Sequence, residues 1–389
     1  MTQLTLESHR QQFPALTRKA YFNYGGQGPL SQVALDSICK FYTAIQEKGP
    51  FSLAVGGWLK QESQATRGVL ASELGVAPET LTFTEDVTVG CNIALWGIDW
   101  QIGDHILLSD CEHPGIVAAI QELQRRFQLE VSVCPLLATL NQGNPVDVIA
   151  EYLRPRTRLV VISHILWNTG QVLPLAEIIQ LCHYQPGGTV RVLVDAAQSV
   201  GVLPLNLAAL EVDFYAFTGH KWLCGPEGLG GLYISPEARS ELSPTFIGWR
   251  GIRTDKTGQP TGWKPDGQRY EIATSAYPLS GGLREAIALQ NQWGTANQRY
   301  QRICHLSTKL WQALGQIPSV QCLHAHPPAA GLVSFQLTQG MPHSEAVQSL
   351  ETQGIYVRTI VYPDCIRACV HYLTTEAEVG DLVNAIARL

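Results

Sequence analysis

The segment Val192-Leu193-Val194-Asp195-Ala196-Ala197-Gln198 decides the fold. An apolar, β-branched run that stops at a carboxylate and then an amide reads as a strand buried on both faces, with polar groups at its carboxyl end. Residues 214–217 repeat the pattern and empty into Thr218-Gly219-His220-Lys221-Trp222. Working outward, the first run extends back to cover 190–194, residues 81–84, 105–108, 131–134 and 159–163 read as further strands, and 88–96, 114–127, 146–153 and 175–183 as helices. Repeated strand–helix units predict an α/β fold, a parallel or mixed sheet covered by helices on both faces. In such folds the ligand sits at the carboxyl ends of the strands.

Beyond Gly281 the pattern changes. Residues 283–314 carry one long helical pattern, followed by strand-like runs at 331–337, 355–357 and 368–372 and helical ones at 344–353 and 376–389. We therefore expect two domains: a large α/β domain over 19–270, and a smaller α+β domain made of 1–18 and 281–389. Residues 254–270, rich in Gly, Pro, Thr and Lys, read as an extended surface excursion.

The chain has 389 residues, 45% hydrophobic and 15% charged, enough for a full core and too apolar for a disordered protein. A net charge of −6 argues against a nucleic-acid partner, whose footprint is basic. No apolar run approaches the ~18 residues of a membrane span, and the N-terminus lacks a signal-peptide layout, so a cytoplasmic home is expected. Ten scattered Cys without a CxxC read as reduced thiols, neither a disulfide framework nor a zinc site. His324-Ala-His326 lacks a third ligand, and no metal is expected.

Four polar clusters stand where strands end: Asp195 to Gln198; Thr218 to Lys221; Ser109-Asp110-Cys111-Glu112-His113-Pro114; and Thr84-Glu85-Asp86-Val87-Thr88-Val89-Gly90. A lysine at the end of an apolar strand is costly as an ammonium, so its pKa falls, as a Schiff-base amine requires. A carboxylate on the neighbouring strand suits a ring nitrogen, and a helix start at Val87-Thr88 offers free N–H groups to a phosphate. A ligand with an aldehyde, a ring nitrogen and a phosphate satisfies all of these: pyridoxal 5'-phosphate (PLP). Each residue alone also has an ordinary structural reading, Asp195 as a turn residue and His113 or Thr88 as helix caps.

These motifs carry a resemblance. With Asp195-Ala196-Ala197-Gln198 and Gly219-His220-Lys221, and from Tyr21-Phe22-Asn23-Tyr24-Gly25-Gly26-Gln27-Gly28 to Arg367-Ala368-Cys369-Val370-His371-Tyr372, the chain resembles the class V aminotransferase-fold (fold type I) PLP enzymes of the cysteine desulfurase type. The resemblance implies a mixed, mostly parallel seven-stranded sheet and a homodimer. It also implies that Lys221 carries the cofactor, Asp195 holds the pyridine nitrogen protonated, Gln198 bonds the ring hydroxyl and His113 stacks on the ring. Val87, Thr88, Thr218 and His220 should bind the phosphate, and Thr274 should reach the phosphate of the partner subunit. Arg367 matches the arginine that clamps a substrate α-carboxylate, Arg358 a second family arginine, and Gly26 belongs to the substrate loop. The asparagine of the desulfurase pattern falls one place later here, leaving Trp167 or Asn168 at that position. Trp249 is expected to line a wider substrate pocket.

One departure bears on the reaction. Desulfurases carry a long mobile loop between the two arginines, with a cysteine that becomes a persulfide. Here eight residues, Thr359 to Ile366, intervene, and Cys365 sits two residues from Arg367. The expected activity is therefore a cysteine/cystine C–S lyase working by β-elimination to pyruvate, ammonia and sulfide or persulfide, with iron–sulfur cluster assembly as a sulfur acceptor. The alternatives are a cysteine desulfurase giving alanine, a class V aminotransferase or epimerase, and a non-enzymatic protein that keeps the fold.

Overall fold

The computed structural model describes residues 5–389; the first four residues of the expected 1–18 segment lie outside the described residues. The large sheet contains β1 (Leu81–Thr84), β2 (His105–Ser109), β3 (Glu130–Cys134), β4 (Thr157–Ser163), β5 (Arg191–Asp195), β6 (Phe214–Thr218) and β7 (Gly230–Ile234). Their order is β1-β7-β6-β5-β4-β2-β3. Strands β2 to β6 pair in parallel, and β7 runs antiparallel between β1 and β6. Strand β7 escapes a reading by propensity because it opens on Gly230-Gly231, a residue type depleted in strands.

The double-sided burial expected of these strands is present. Val192 and Val194 point into a core closed by Leu70, Ile178 and Leu283, while Leu193 points into another closed by Leu95, Ile116 and Ile120. Helices Leu53–Leu74, Leu175–His183 and Pro278–Trp293 thus cover one face, and Val87–Gly97 and Pro114–Phe127 the other.

The smaller sheet holds β8 (Val320–Cys322), β9 (Leu332–Leu337), β10 (Arg358–Ile360) and β11 (Cys365–Cys369) in the antiparallel order β8-β9-β11-β10. A separate apolar cluster in which Tyr24, Ile165 and Trp222 meet Leu332, Cys369 and Tyr372 seats this sheet against the carboxyl ends of the large one. That packing brings β11 to the strand ends.

The structure corrects several expected elements. The pattern over 283–314 is two helices, Pro278–Trp293 and Ala296–Leu314; Thr295 caps the second through a reciprocal capping box with Gln298. The break spans two residues, so the apolar period runs on almost undisturbed. The strand expected over 368–372 lies at Cys365–Cys369, which places Arg367 mid-strand, and the 355–357 run divides into Ile355–Tyr356 and Arg358–Ile360. The 254–270 excursion is a hairpin of Ile252–Thr254 with Pro260–Trp263, ending in a 3-10 turn at Gly267–Tyr270. Helix Gln32–Glu47 packs on Pro278–Trp293 at Gly281, where a Cβ would overlap the Phe41 ring.

Candidate active site

A cavity of about 170 Å³ opens at the carboxyl ends of β4 to β6, and β11 closes it from the smaller sheet. Its wall includes Val87, Thr88, His113, Asp195, Gln198, Lys221, Arg358 and Arg367, together with His220. Residues from remote parts of the chain therefore line one cavity.

Lys221 follows the end of β6 in a tight loop. The backbone N–H of Gly28 donates to the His220 carbonyl at 2.7 Å, and a Cβ at Gly28 would strike the carbonyl of Lys221 itself. The glycine thus lets the N-terminal segment lie directly on the lysine loop. Burial pushes the Lys221 amine down to about 8, against the opposing pull of Asp195. Asp195 ends β5, beside Ser163 of β4, and is buried. Burial raises its carboxyl pKa, while the Ala197 N–H (2.9 Å) and the charges of Lys221 and His113 oppose the rise.

His113 caps helix Pro114–Phe127, its Nδ1 accepting from the Gly115 N–H at 3.2 Å. Burial lowers its pKa against the opposing pull of Asp195, and it stands edge-on to Trp167 with centroids 5.7 Å apart. The preceding residue, Glu112, is buried and accepts from Ser109 Oγ and from the hydroxyl and backbone N–H of Ser163. Burial, reinforced by Asp195, raises its carboxyl to about 8 in spite of those donors. Glu112 ties the corner that presents His113 to the end of β4.

Helix Val87–Gly97 begins at the cavity, and Asp86 caps it by accepting from the Val89 N–H at 2.9 Å. The N–H groups of Val87 and Thr88 precede the first intrahelical bond and are free for an anion. Arg367 donates Nη1 to the Trp167 carbonyl at 2.6 Å, but its buried Nε and Nη2 have no partner. Arg358 stands directly opposite it in the ladder, so two guanidinium groups face one cavity.

Five expected site residues lie elsewhere among the described residues. Thr218 is one step behind the wall, its hydroxyl 2.5 Å from Nδ1 of His220. Gly25, not Gly26, lines the cavity; Gly26 turns its N–H to the Asn23 carbonyl. Trp167 lines it instead of Asn168, whose amide donates to the Tyr362 carbonyl at 3.2 Å. Trp249 is 60% exposed at the surface. Thr274 lines a second cavity with Arg250, Thr84 and Glu85. Gly25 and Ser163 are wall residues that motif reading missed, and of the two alternatives left by the one-place shift of the asparagine it is Trp167 that lines the wall. His324 is engaged with the Thr169 carbonyl through Nε2.

The wall fits PLP. A buried carboxylate of raised pKa is relieved by a protonated ring nitrogen, a lysine of lowered pKa suits an aldehyde, and the start of helix Val87–Gly97 suits a phosphate. The unpartnered fork of Arg367 is left for a carboxylate. Because only a neutral amine attacks an aldehyde, PLP uptake by cofactor-free protein should accelerate with pH to about 8 and then level off. A stopped-flow series that kept accelerating toward the ordinary lysine pKa, about 10.4, would contradict this.

Residues 20–382 match the family Aminotransferase class-V. A cysteine desulfurase of Escherichia coli is 31% identical over 421 aligned residues, covering 99% of this chain and 98% of the relative. The crystallised cystine C–S lyase C-DES, in complex with its reaction product cysteine persulfide, superposes with a TM-score of 0.95 at 53% identity, covering 97% of this chain and 99% of that one. A lysine-to-alanine variant of C-DES with glycine covalently linked to the PLP cofactor gives a TM-score of 0.96 at 52% identity, with 97% and 98% coverage. The structure of an E. coli cysteine desulfurase is more distant, 25% identical with a TM-score of 0.87 over 99% of this chain and 98% of that one.

Proposed function

Because the chain belongs to the class V aminotransferase family, we propose that it is a PLP-dependent carbon–sulfur lyase that cleaves cystine and cysteine by β-elimination. The observation that carries this reading is the turn between the two arginines. Strands β10 and β11 are joined by only Val361 to Asp364, and Cys365 is a fully buried strand residue whose thiol burial pushes up to about 12. A thiol so placed is neither ionised nor able to travel to a substrate sulfur. Sulfur is then expelled as a leaving group instead of being handed to an enzyme cysteine. Similarity to the C–S lyase, stronger than to the desulfurases, points the same way.

Residues of the wall divide the work. When bound, PLP supplies an electron sink for negative charge at the substrate Cα. Lys221 would hold the cofactor through Nζ and, once released, take the Cα proton, a task its lowered pKa favours. Asp195 would keep a proton on the ring nitrogen, and Gln198 would bond the ring hydroxyl. His113 would stack on the ring face, and Val87, Thr88 and His220 would seat the phosphate, with Thr218 behind them. Arg367 would offer its fork to the α-carboxylate, and Arg358, opposite it in the ladder, would receive the second carboxylate of a disulfide amino acid. Persulfide leaves more readily than thiolate because it is the weaker base, so cystine should be the better substrate. The three-carbon fragment hydrolyses to pyruvate and ammonia.

Product analysis tests the proposal. Cystine should give pyruvate and cysteine persulfide in equal amounts, and Cys365→Ala should keep at least half the activity. Alanine as the product, or loss of nearly all activity in the Ala variant, would establish desulfuration instead.

A homodimer is part of the reading. Phe51, Leu53, Phe246, Ile247 and Trp249 are exposed, and Thr274 sits outside the site of its own chain. A partner's Thr274 and Trp249 would then approach the opposite site. Sedimentation as a monomer would overturn this assembly. The persulfide product suits a soluble sulfur donor for iron–sulfur cluster assembly in the cytoplasm; among the described residues no helix is long and apolar enough to cross a membrane.

A further inference from the structure

We propose that Trp222, acting with the Gly25 carbonyl, fixes which end of the Gln198 amide faces the cofactor, making Gln198 a hydrogen-bond donor to the ring oxygen. The inference rests on the PLP reading above but concerns a residue that reading leaves unused.

Trp222 follows Lys221 and is completely buried. Its carbonyl accepts from Gln290 Nε2 at 3.0 Å and lies 3.1 Å from His371 Nε2. Burial drives the His371 pKa down to about 3, so the ring is neutral, and the nitrogen facing that carbonyl carries the hydrogen. The indole lies nearly parallel to Tyr24, with centroids 6.1 Å apart and planes 24° off parallel. With backbone and ring both engaged, the indole is held in one orientation.

Its Nε1 lies 2.8 Å from Gln198 Oε1. An indole nitrogen can only donate, so the amide oxygen must be the atom facing it. At the other end, Gln198 Nε2 donates to the Gly25 carbonyl at 2.9 Å. A flipped amide would set N–H against N–H at Trp222 and oxygen against oxygen at Gly25. Two contacts from separate parts of the chain therefore impose the same orientation. A carboxamide has two N–H bonds; one is used on Gly25, and the other remains on a residue that lines the cavity. Gln198 thus presents a donor, which favours the anionic form of the ring oxygen and disfavours a proton on the lysine-linked nitrogen beside it.

The test is a pH titration of the visible absorption band of the PLP-loaded enzyme. Trp222→Phe removes the N–H and keeps an aromatic ring; with only the Gly25 contact left to orient the amide, the titration midpoint should rise by about half a pH unit, within the scale of one lost hydrogen bond. In a Gln198→Ala background the same substitution should move the midpoint by less than a few tenths, because no amide remains to orient. A midpoint indifferent to Trp222→Phe, or an equal shift in both backgrounds, would overturn the assignment. If Trp222→Phe does not fold, indole ¹⁵N–¹H spectra of the holoenzyme decide: the Trp222 signal should shift on Gln198→Leu, and a stationary signal refutes the contact. A protein that develops no visible band with PLP fails the preceding reading, whereas a normal band with an indifferent midpoint sinks only this one.

Discussion

Lys221→Ala should lower turnover of cystine by about 10⁴-fold or more, because in the proposed reaction one substitution removes both the covalent anchor and the base for the Cα proton. Its loop is braced by Gly28 and by the buried Trp222, neither of which depends on the lysine side chain, so the variant should fold and still take up PLP non-covalently. Borohydride should then fail to fix the cofactor to the protein, whereas in the unaltered enzyme it should succeed. A small primary amine added to the medium should restore part of the proton transfer. Full activity in the Ala variant would remove Lys221 from the chemistry and with it the whole assignment.

Arg367→Leu is the second large effect. The guanidinium is buried, spends Nη1 on the Trp167 carbonyl and keeps Nε and Nη2 unpartnered. Truncating one member of a buried charge pair costs about 2–5 kcal/mol, or roughly 30- to 5,000-fold in kcat/KM. Most of that loss should appear as a raised KM for both cysteine and cystine, with the visible band of the bound cofactor unchanged. Arg367→Lys should recover only part of it, since an ammonium cannot present two parallel N–H bonds to a carboxylate. Arg358→Leu provides the contrast: if Arg358 receives the second carboxylate of cystine, its loss should penalise cystine more than cysteine. Equal penalties on the two substrates would leave Arg358 without that role.

Much of this site was legible along the chain because its chemistry is written at strand ends. A strand buried on both faces must be apolar, so the first polar residues after it, Asp195 after β5 and Lys221 after β6, stand out and fall at the same edge of the sheet. A strand-end lysine, a carboxylate on the neighbouring strand and a helix start at Val87-Thr88 were together enough to name the cofactor. Elements whose composition hides their role were missed. Strand β7 opens on two glycines, and the break at Gly294 leaves the helical period almost intact.

By itself, then, the amino-acid sequence determined the strand–helix alternation, the edge of the sheet where the ligand belongs, and the lysine and carboxylate that face it. These follow from local burial patterns, which hydrophobicity records residue by residue. Only the tertiary structure decided that Trp167 and Gly25 form the wall, that Arg367 keeps two donors free, that Cys365 is sealed inside a strand, and that Trp222 orients Gln198. Each of these depends on partners far apart in the chain, Arg367 with Trp167 or Gln198 with Gly25, and a hydrogen bond's direction is set by which atoms meet in space.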